Sequence, residues 1–236
     1  MTENIVKMIR IIFAISVFAA AVGVAAITFC FIMAVQPSDE QIFQSNISKT
    51  VEIRVLNESS ETLGYGTGVF VSSDGLILTN KHMVQSSITG EIYSKIEVRL
   101  PDSADYIAAE LCKISESADL ATIKIERQNC QYFSLDTNPK DGQQIYTVGN
   151  PNGFGLSFAK GNISSAYRKV LYDEQTIEVI QTSLVINEGN SGGAVFTSSG
   201  KMVGLISFRL KDKNGSVIQG VAFAVPAKQI ISFLAG

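Results

Sequence analysis

The 236-residue sequence contains one histidine, His82, which follows Thr79-Asn80-Lys81. Any chemistry that needs an imidazole must use it. Far downstream, Ser191 stands inside Asn187-Glu188-Gly189-Asn190-Ser191-Gly192-Gly193. A serine hydroxyl is a poor nucleophile until a base takes its proton, and an unperturbed imidazole titrates at about 6.5, which suits that task at neutral pH. Between the two, Asp119 opens the run Leu120-Ala121-Thr122-Ile123. A carboxylate beside the imidazole would fix its tautomer and stabilise the imidazolium. Asp102, Asp105 and Asp136 compete for that role. The glycines around Ser191 permit a sharp turn that aims the N–H groups of Gly189 and Ser191 at one point, with Asn190 shaping the loop. Converging donors of this kind make an oxyanion hole for acyl transfer. Taken alone, the serine string also reads as a glycine-rich turn that ends a strand.

The elements that would hold these residues are short and β-like. Residues 51–56 alternate, with Val51, Ile53 and Val55 on one face. Residues 66–71 and 76–79 flank Ser72-Ser73-Asp74-Gly75, a hairpin signal. Further strands are expected at 95–100, 107–114, 120–125, 144–148, 157–163, 177–181, 194–196, 202–207 and 221–225. Many short strands separated by turn signals predict an all-β barrel or sandwich. Residues 226–234 read as the one helix of this region, with Pro226 in its first turn. Gly64-Tyr65-Gly66-Thr67-Gly68 has the glycines of a phosphate loop but no Lys-Ser/Thr after it, and it runs into a strand.

Composition narrows the classes. The net charge is −3 and no basic block occurs, so nucleic-acid binding has no support. One histidine and three distant cysteines give no metal-ligand spacing, and no metal or other cofactor is expected. Cys112 and Cys130 could pair only in an oxidising compartment. Residues 11–35 carry no charge, and a spanning helix needs about 20 apolar residues. Lys7 and Arg10 precede the segment, and Asp39 and Glu40 follow it. That asymmetry places the N-terminus in the cytoplasm. A cleaved signal peptide is the competing reading.

The chain order His, Asp, Ser matches chymotrypsin-like enzymes and differs from α/β-hydrolases and subtilisins. Thr79-Asn80-Lys81-His82-Met83-Val84, Asp119-Leu120-Ala121, Gly149-Asn150-Pro151-Asn152-Gly153, the serine string and Gly220-Val221-Ala222-Phe223-Ala224-Val225-Pro226 together resemble the protease domain of the HtrA/Deg serine endopeptidases. The resemblance runs from about Val51 to the C-terminus. It implies two six-stranded antiparallel barrels of the chymotrypsin-like kind, here preceded by one transmembrane helix. His82 and Asp119 would come from the first barrel and Ser191 from the second. It also selects Asp119 over the other aspartates.

The expected organisation is a cytoplasmic tail at 1–10, a transmembrane anchor at 11–35, a linker or oligomerisation arm at 36–49, and a trypsin-like protease domain at 50–236 without a PDZ domain. The family often forms homotrimers through the segment before the first barrel, where Phe43 and Ile47 are candidate contacts. In this fold the strand before the serine loop floors the primary specificity pocket, and the segment at 206–208 lines a wall. Val185, Ile186, Ile206, Ser207 and Phe208 are therefore the expected substrate-binding residues. With no acid near the floor, cleavage after Val, Ala or Ile is expected. The function so implied is a membrane-anchored serine endopeptidase acting on misfolded or regulatory proteins in the periplasmic or extracellular space. The alternative is a catalytically silent peptide-binding or holdase protein on the same scaffold.

Overall fold

Where apolar and polar residues alternate along a strand, the alternation decides which face turns inward. In the strand Lys95–Arg99, Ile96 and Val98 are buried, while Glu97 and Arg99 point outward. Those two pair across the sheet with Arg54 at 2.6 Å and Glu52 at 2.8 Å. The computed structural model describes residues 2–34, 36–172, 175–211, 214 and 216–236. The chain divides into two units after Ser38.

The N-terminal unit is the helix α1 (Thr2–Ala34). Its stretch Glu3–Thr28 is long and apolar enough to cross a membrane. The hydroxyls of Ser16 and Thr28 each donate to the carbonyl four residues earlier, at 2.8 Å. These two hydroxyls are thus satisfied within the helix.

The second unit holds two closed six-stranded barrels. The first comprises β1 (Thr50–Leu56), β2 (Thr62–Phe70), β3 (Leu76–Thr79), β4 (Lys95–Arg99), β5 (Tyr106–Ile114) and β6 (Ala121–Lys124), in the order β1-β2-β3-β6-β5-β4. The second comprises β7 (Gln144–Gly149), β8 (Ser157–Tyr172), β9 (Gln175–Thr182), β10 (Ala194–Phe196), β11 (Met202–Lys211) and β12 (Val217–Pro226), in the order β10-β11-β12-β9-β8-β7. The barrel strands pair antiparallel with one another, and Phe196 opposite Tyr146 closes the second barrel. Closure removes the exposed sheet edges that open β-sheets must protect. The C-terminal helix α3 (Ala227–Ala235) packs Ile230 and Phe233 inward, and Lys113 of β5 donates to the Phe233 carbonyl at 2.6 Å. That cation satisfies an orphan carbonyl at the helix's C-terminal end.

Three apolar clusters account for the packing. One fills the first barrel around Ile53, Phe70 and Ile77. Another fills the second around Ile145, Ile180 and Val203. The third joins Val69, Leu78 and Leu120 of the first barrel with Tyr146, Ala194 and Phe196 of the second. It therefore fixes one barrel against the other, close to Asp119 and Ser191 in sequence.

Part of the segment expected as a linker or arm is a helix, α2 (Asp39–Asn46). Its Ile42 is 1% exposed in the inter-barrel cluster. Phe43 and Ile47 pack partly buried against the same cluster, Phe43 edge-on to Phe158 at 5.6 Å. Lys160 of β8 holds Asp39, in the first turn of α2, at 2.8 Å. Cys112 and Cys130 are both free thiols, one exposed on β5 and one buried in the first barrel.

If α2 is built into the core, Ile42→Ala leaves a cavity there and costs about 2–4 kcal/mol. Urea unfolding of the full chain in detergent micelles, followed by tyrosine fluorescence, measures this. A loss below about 0.5 kcal/mol, the range of ordinary surface substitutions, would contradict the burial of α2.

Candidate active site

Two tight turns build the serine loop. Asn190 N–H donates to the Asn187 carbonyl at 3.1 Å, and Gly193 N–H donates to the Asn190 carbonyl at 3.0 Å. Each closes a four-residue turn. Gly189 and Gly192 occupy the third positions, with φ of +91° and +87°. A type II turn needs positive φ there, which glycine adopts without steric cost. Space excludes a side chain as well: a Cβ on Gly192 would lie 1.9 Å from the Thr67 carbonyl oxygen.

His82 and Asp119 meet because β3 and β6 are neighbours. Thr79 pairs with Ala121, so the same register carried past the strand ends sets the 3-10 turn Lys81–Met83 opposite Asp119. His82 Nδ1 lies 2.9 Å from Asp119 Oδ2 and 3.1 Å from Oδ1. The backbone N–H of His82 donates to Oδ1 at 3.1 Å, and Asn80 Nδ2 donates to the Asp119 carbonyl at 2.9 Å. Ser207 Oγ donates to Oδ2 at 2.5 Å. Burial pushes the Asp119 carboxyl up. The hydrogen bonds and charge of His82, with the Ser207 hydroxyl, outweigh that and hold it below the usual carboxylate range.

Ser191 is tied to this group through Ser207. Its Oγ donates to the Ser207 carbonyl at 3.2 Å. His82 Nε2 has no hydrogen-bond partner among the described residues, and the imidazole is 37% exposed. Catalytic hydrogen bonds in unliganded enzymes are commonly open and tighten when substrate binds. Ser207 thus touches both sides, Asp119 through its hydroxyl and Ser191 through its carbonyl, while no bond from Ser191 Oγ to His82 Nε2 is made among the described residues.

The oxyanion-loop amides divide into two sorts. Asn190 N–H is used within the loop. The N–H groups of Gly189 and Ser191 donate to no acceptor among the described residues, although Gly189 is buried. A buried N–H without a partner is rare and points to a ligand or water as its acceptor. The Glu188 carbonyl accepts from Asn152 N–H at 2.8 Å. In a trans peptide the C=O and N–H point opposite ways, so Gly189 N–H is directed away from Asn152.

The residue that sequence reasoning missed is Thr67. It is fully buried in β2 of the first barrel. Its hydroxyl donates to the Gly189 carbonyl at 2.7 Å and accepts from Asn150 N–H at 2.9 Å. Its own N–H donates to the Ser191 carbonyl at 2.9 Å. It lies in the glycine-rich string 64–68, which the motif reading set aside once the phosphate-loop match failed.

The expected substrate-binding residues separate. Ile186 and Ile206 are buried in the core of the second barrel. Val185 is exposed. Ser207 serves Asp119 and Ser191. Phe208 packs against two tilted rings, Tyr172 at 4.4 Å and Phe223 at 5.0 Å. Beside His82 and Asp119 runs an open cleft of about 740 Å³, lined among others by Tyr93, Ala118, Tyr172, Phe208 and Val225.

Comparison with known proteins bears on the fold and the family. The trypsin-like peptidase domain matches residues 66–205, more than half of the chain. A probable periplasmic serine endoprotease DegP-like of Pseudomonas putida (strain GB-1) is 32% identical over 192 residues, covering 80% of this chain and 38% of that protein. The serine endoprotease DegS of Haemophilus influenzae is 33% identical over 178 residues, covering 72% of this chain and 49% of that protein. The chain therefore spans less than half the length of these two curated relatives. Among solved structures, the HtrA-type protease AlgW with tripeptide aligns with a TM-score of 0.73 at 28% identity, covering 84% of this chain and 63% of that chain. Fold, family match and relatives agree: the chain belongs to the trypsin-like peptidase family, and its relatives there are HtrA-type serine proteases.

Proposed function

We propose that this protein is a serine endopeptidase in which Ser191 attacks the peptide carbonyl, His82 moves the proton and Asp119 orients the imidazole. The observation that carries the reading is the linked set His82, Asp119, Ser207 and Ser191 beside two unpaired loop amides. Ser191 Oγ gives its proton to His82 Nε2 as it bonds to the carbonyl carbon. The N–H groups of Gly189 and Ser191 hold the developing oxyanion; one such donor is worth about 3–4 kcal/mol in comparable enzymes. The imidazolium then protonates the leaving amine, and water repeats the sequence on the acyl-enzyme. The open cleft suits an extended chain, and a P1 residue of Val, Ala or Ile remains part of this reading. Helix α1 serves as a membrane anchor, with the barrels outside the cytoplasm and their substrates among the misfolded or regulatory proteins there.

The test uses membranes that carry the full chain. Native protein cleaves casein and is labelled by a fluorophosphonate probe. Ser191→Ala removes labelling and lowers kcat by about 10⁴-fold or more. Labelling that persists in Ser191→Ala excludes Ser191 as the nucleophile. Native protein that neither cleaves nor labels favours the peptide-binding alternative. The labelled band stays in the membrane pellet after carbonate extraction if residues 11–35 span the bilayer, and is released if they have been removed.

Asp119 also sets an acid limit. Its folded value is depressed, so its contribution to stability is complete above the ordinary carboxylate value of about 3.9. That contribution disappears as pH falls through the lower folded value. Urea midpoints for the native chain and Asp119→Asn should differ more at about pH 5 than at about pH 3, converging as pH falls below about 4. A difference that grows as the pH falls would contradict the depressed carboxylate.

A further inference from the structure

The outer half of β9 is paired on one side only. β8 runs beside it from Gln175 to Thr182, whereas β12 meets it at Ile180, Gln181 and Thr182. β12 then ends at Pro226 and the chain turns into α3. Residues 175–179 thus keep an edge with no strand beside it among the described residues. Along a strand, successive residues direct their N–H and C=O to opposite edges. The Glu178 carbonyl faces the free edge, because it accepts from Gln229 Nε2 of α3 at 2.9 Å. The N–H of Glu178 therefore faces it too, as do both groups of Thr176. No loop carbonyl accepts the Glu178 N–H among the described residues.

This edge opens into the catalytic cleft. Gln175, Ile177, Glu178 and Val179 line the same space of about 740 Å³ as His82 and Asp119. Ser207 and Phe208 line it as well. They belong to the segment expected to wall the pocket for the residue before the scissile bond. The cleft therefore continues on the upstream side of the cut. Unpaired strand edges are commonly blocked by charge, proline or a covering element. Here a glutamine side chain caps one carbonyl. An extended peptide can satisfy the rest with its own main chain, which makes the binding tolerant of sequence.

We propose that the β9 edge at 176–178 binds the upstream part of the substrate as an added β-strand. The proposal rests on the endopeptidase reading and deepens it. It names the substrate class as chains that are extended, and free of fixed structure, for several residues before the cut. The cleft's continuity from His82 to the edge identifies the occupant as the substrate itself.

The experiment measures kcat/KM for peptides that share the residues around the cut and lengthen upstream one residue at a time, using the full chain in detergent micelles. Native protein should gain at least about tenfold once the peptide reaches the edge, as two or three added main-chain hydrogen bonds imply. N-methylation of the added amides should abolish the gain at every second position only. Glu178→Pro removes an edge N–H and spares the β8 pairing, and its long-to-short ratio should fall about fivefold. Glu178→Gln keeps the N–H and should keep the ratio. Fluorophosphonate labelling of Ser191 verifies an intact site in each variant, and if Glu178→Pro does not label, the N-methyl series on native protein decides. No gain with length, or a gain indifferent to N-methylation, overturns edge pairing and leaves the endopeptidase reading standing. So does an equal fall in both variants, which would assign the effect to the Glu178 side chain. An uncleavable copy of the upstream segment should inhibit cleavage of the long peptide. Stimulation instead would mark an effector site and overturn the proposal. Absence of Ser191-dependent cleavage of every peptide overturns the endopeptidase reading, and edge pairing with it.

Discussion

The serine loop belongs to the second barrel but is held by a residue of the first. Thr67 grips it at Gly189 and Ser191 and steadies Asn150 with the same hydroxyl. Asn150 leads into Asn152, whose N–H fixes the Glu188 carbonyl and hence the direction of Gly189 N–H. Thr79 in turn donates to the Thr67 carbonyl at 2.8 Å, three residues before His82. The strand end that leads to the imidazole and the loop that bears the hydroxyl are thereby fixed to one buried group. In a fully buried position each of these bonds is electrostatically stronger than in water, and each lost partner costs more.

Such a hub works only if the barrels cannot slide past each other. The inter-barrel cluster supplies that rigidity, with Leu120 beside Asp119 and Ala194 close behind Ser191 among its members. Helices α2 and α3 seal it with Ile42, Ile230 and Phe233. Close packing makes this contact stiff. Electrostatics then sets the chemistry. Asp119 remains ionised although half-buried, because His82 and Ser207 surround it with donors. A carboxylate kept charged beside the one imidazole is what a proton-transferring histidine requires.

Much of this was legible in the sequence, for physical reasons that differ by element. The strand at 95–99 followed from alternation, since Ile96 and Val98 could turn inward only in a period of two, and others from short apolar runs between turn signals. The candidate triad followed from residue type and chain order. Helix α2 was not legible, because eight residues with one deeply buried side chain carry too little periodicity. Nor was the outer half of β8: it is largely exposed, so hydrophobic patterning did not mark it. The roles of Thr67 and Ser207 depend on partners 122 and 88 residues distant, a closeness that only the closed barrels create. The same holds for Ile186 and Ile206, whose apolar character suited either a pocket or a core.

Since the chain has a single histidine, every imidazole signal in an NMR spectrum belongs to His82. The most direct measurement is therefore the imidazole spectrum of histidine-labelled full chain, free and after a peptide boronate has bonded to Ser191. A low-field Nδ1 proton that vanishes in Asp119→Asn, with an Nε2 resonance that shifts when the boronate adds, is the predicted result. Imidazole resonances indifferent to both the boronate and the loss of the carboxylate would contradict a working link between His82, Asp119 and Ser191.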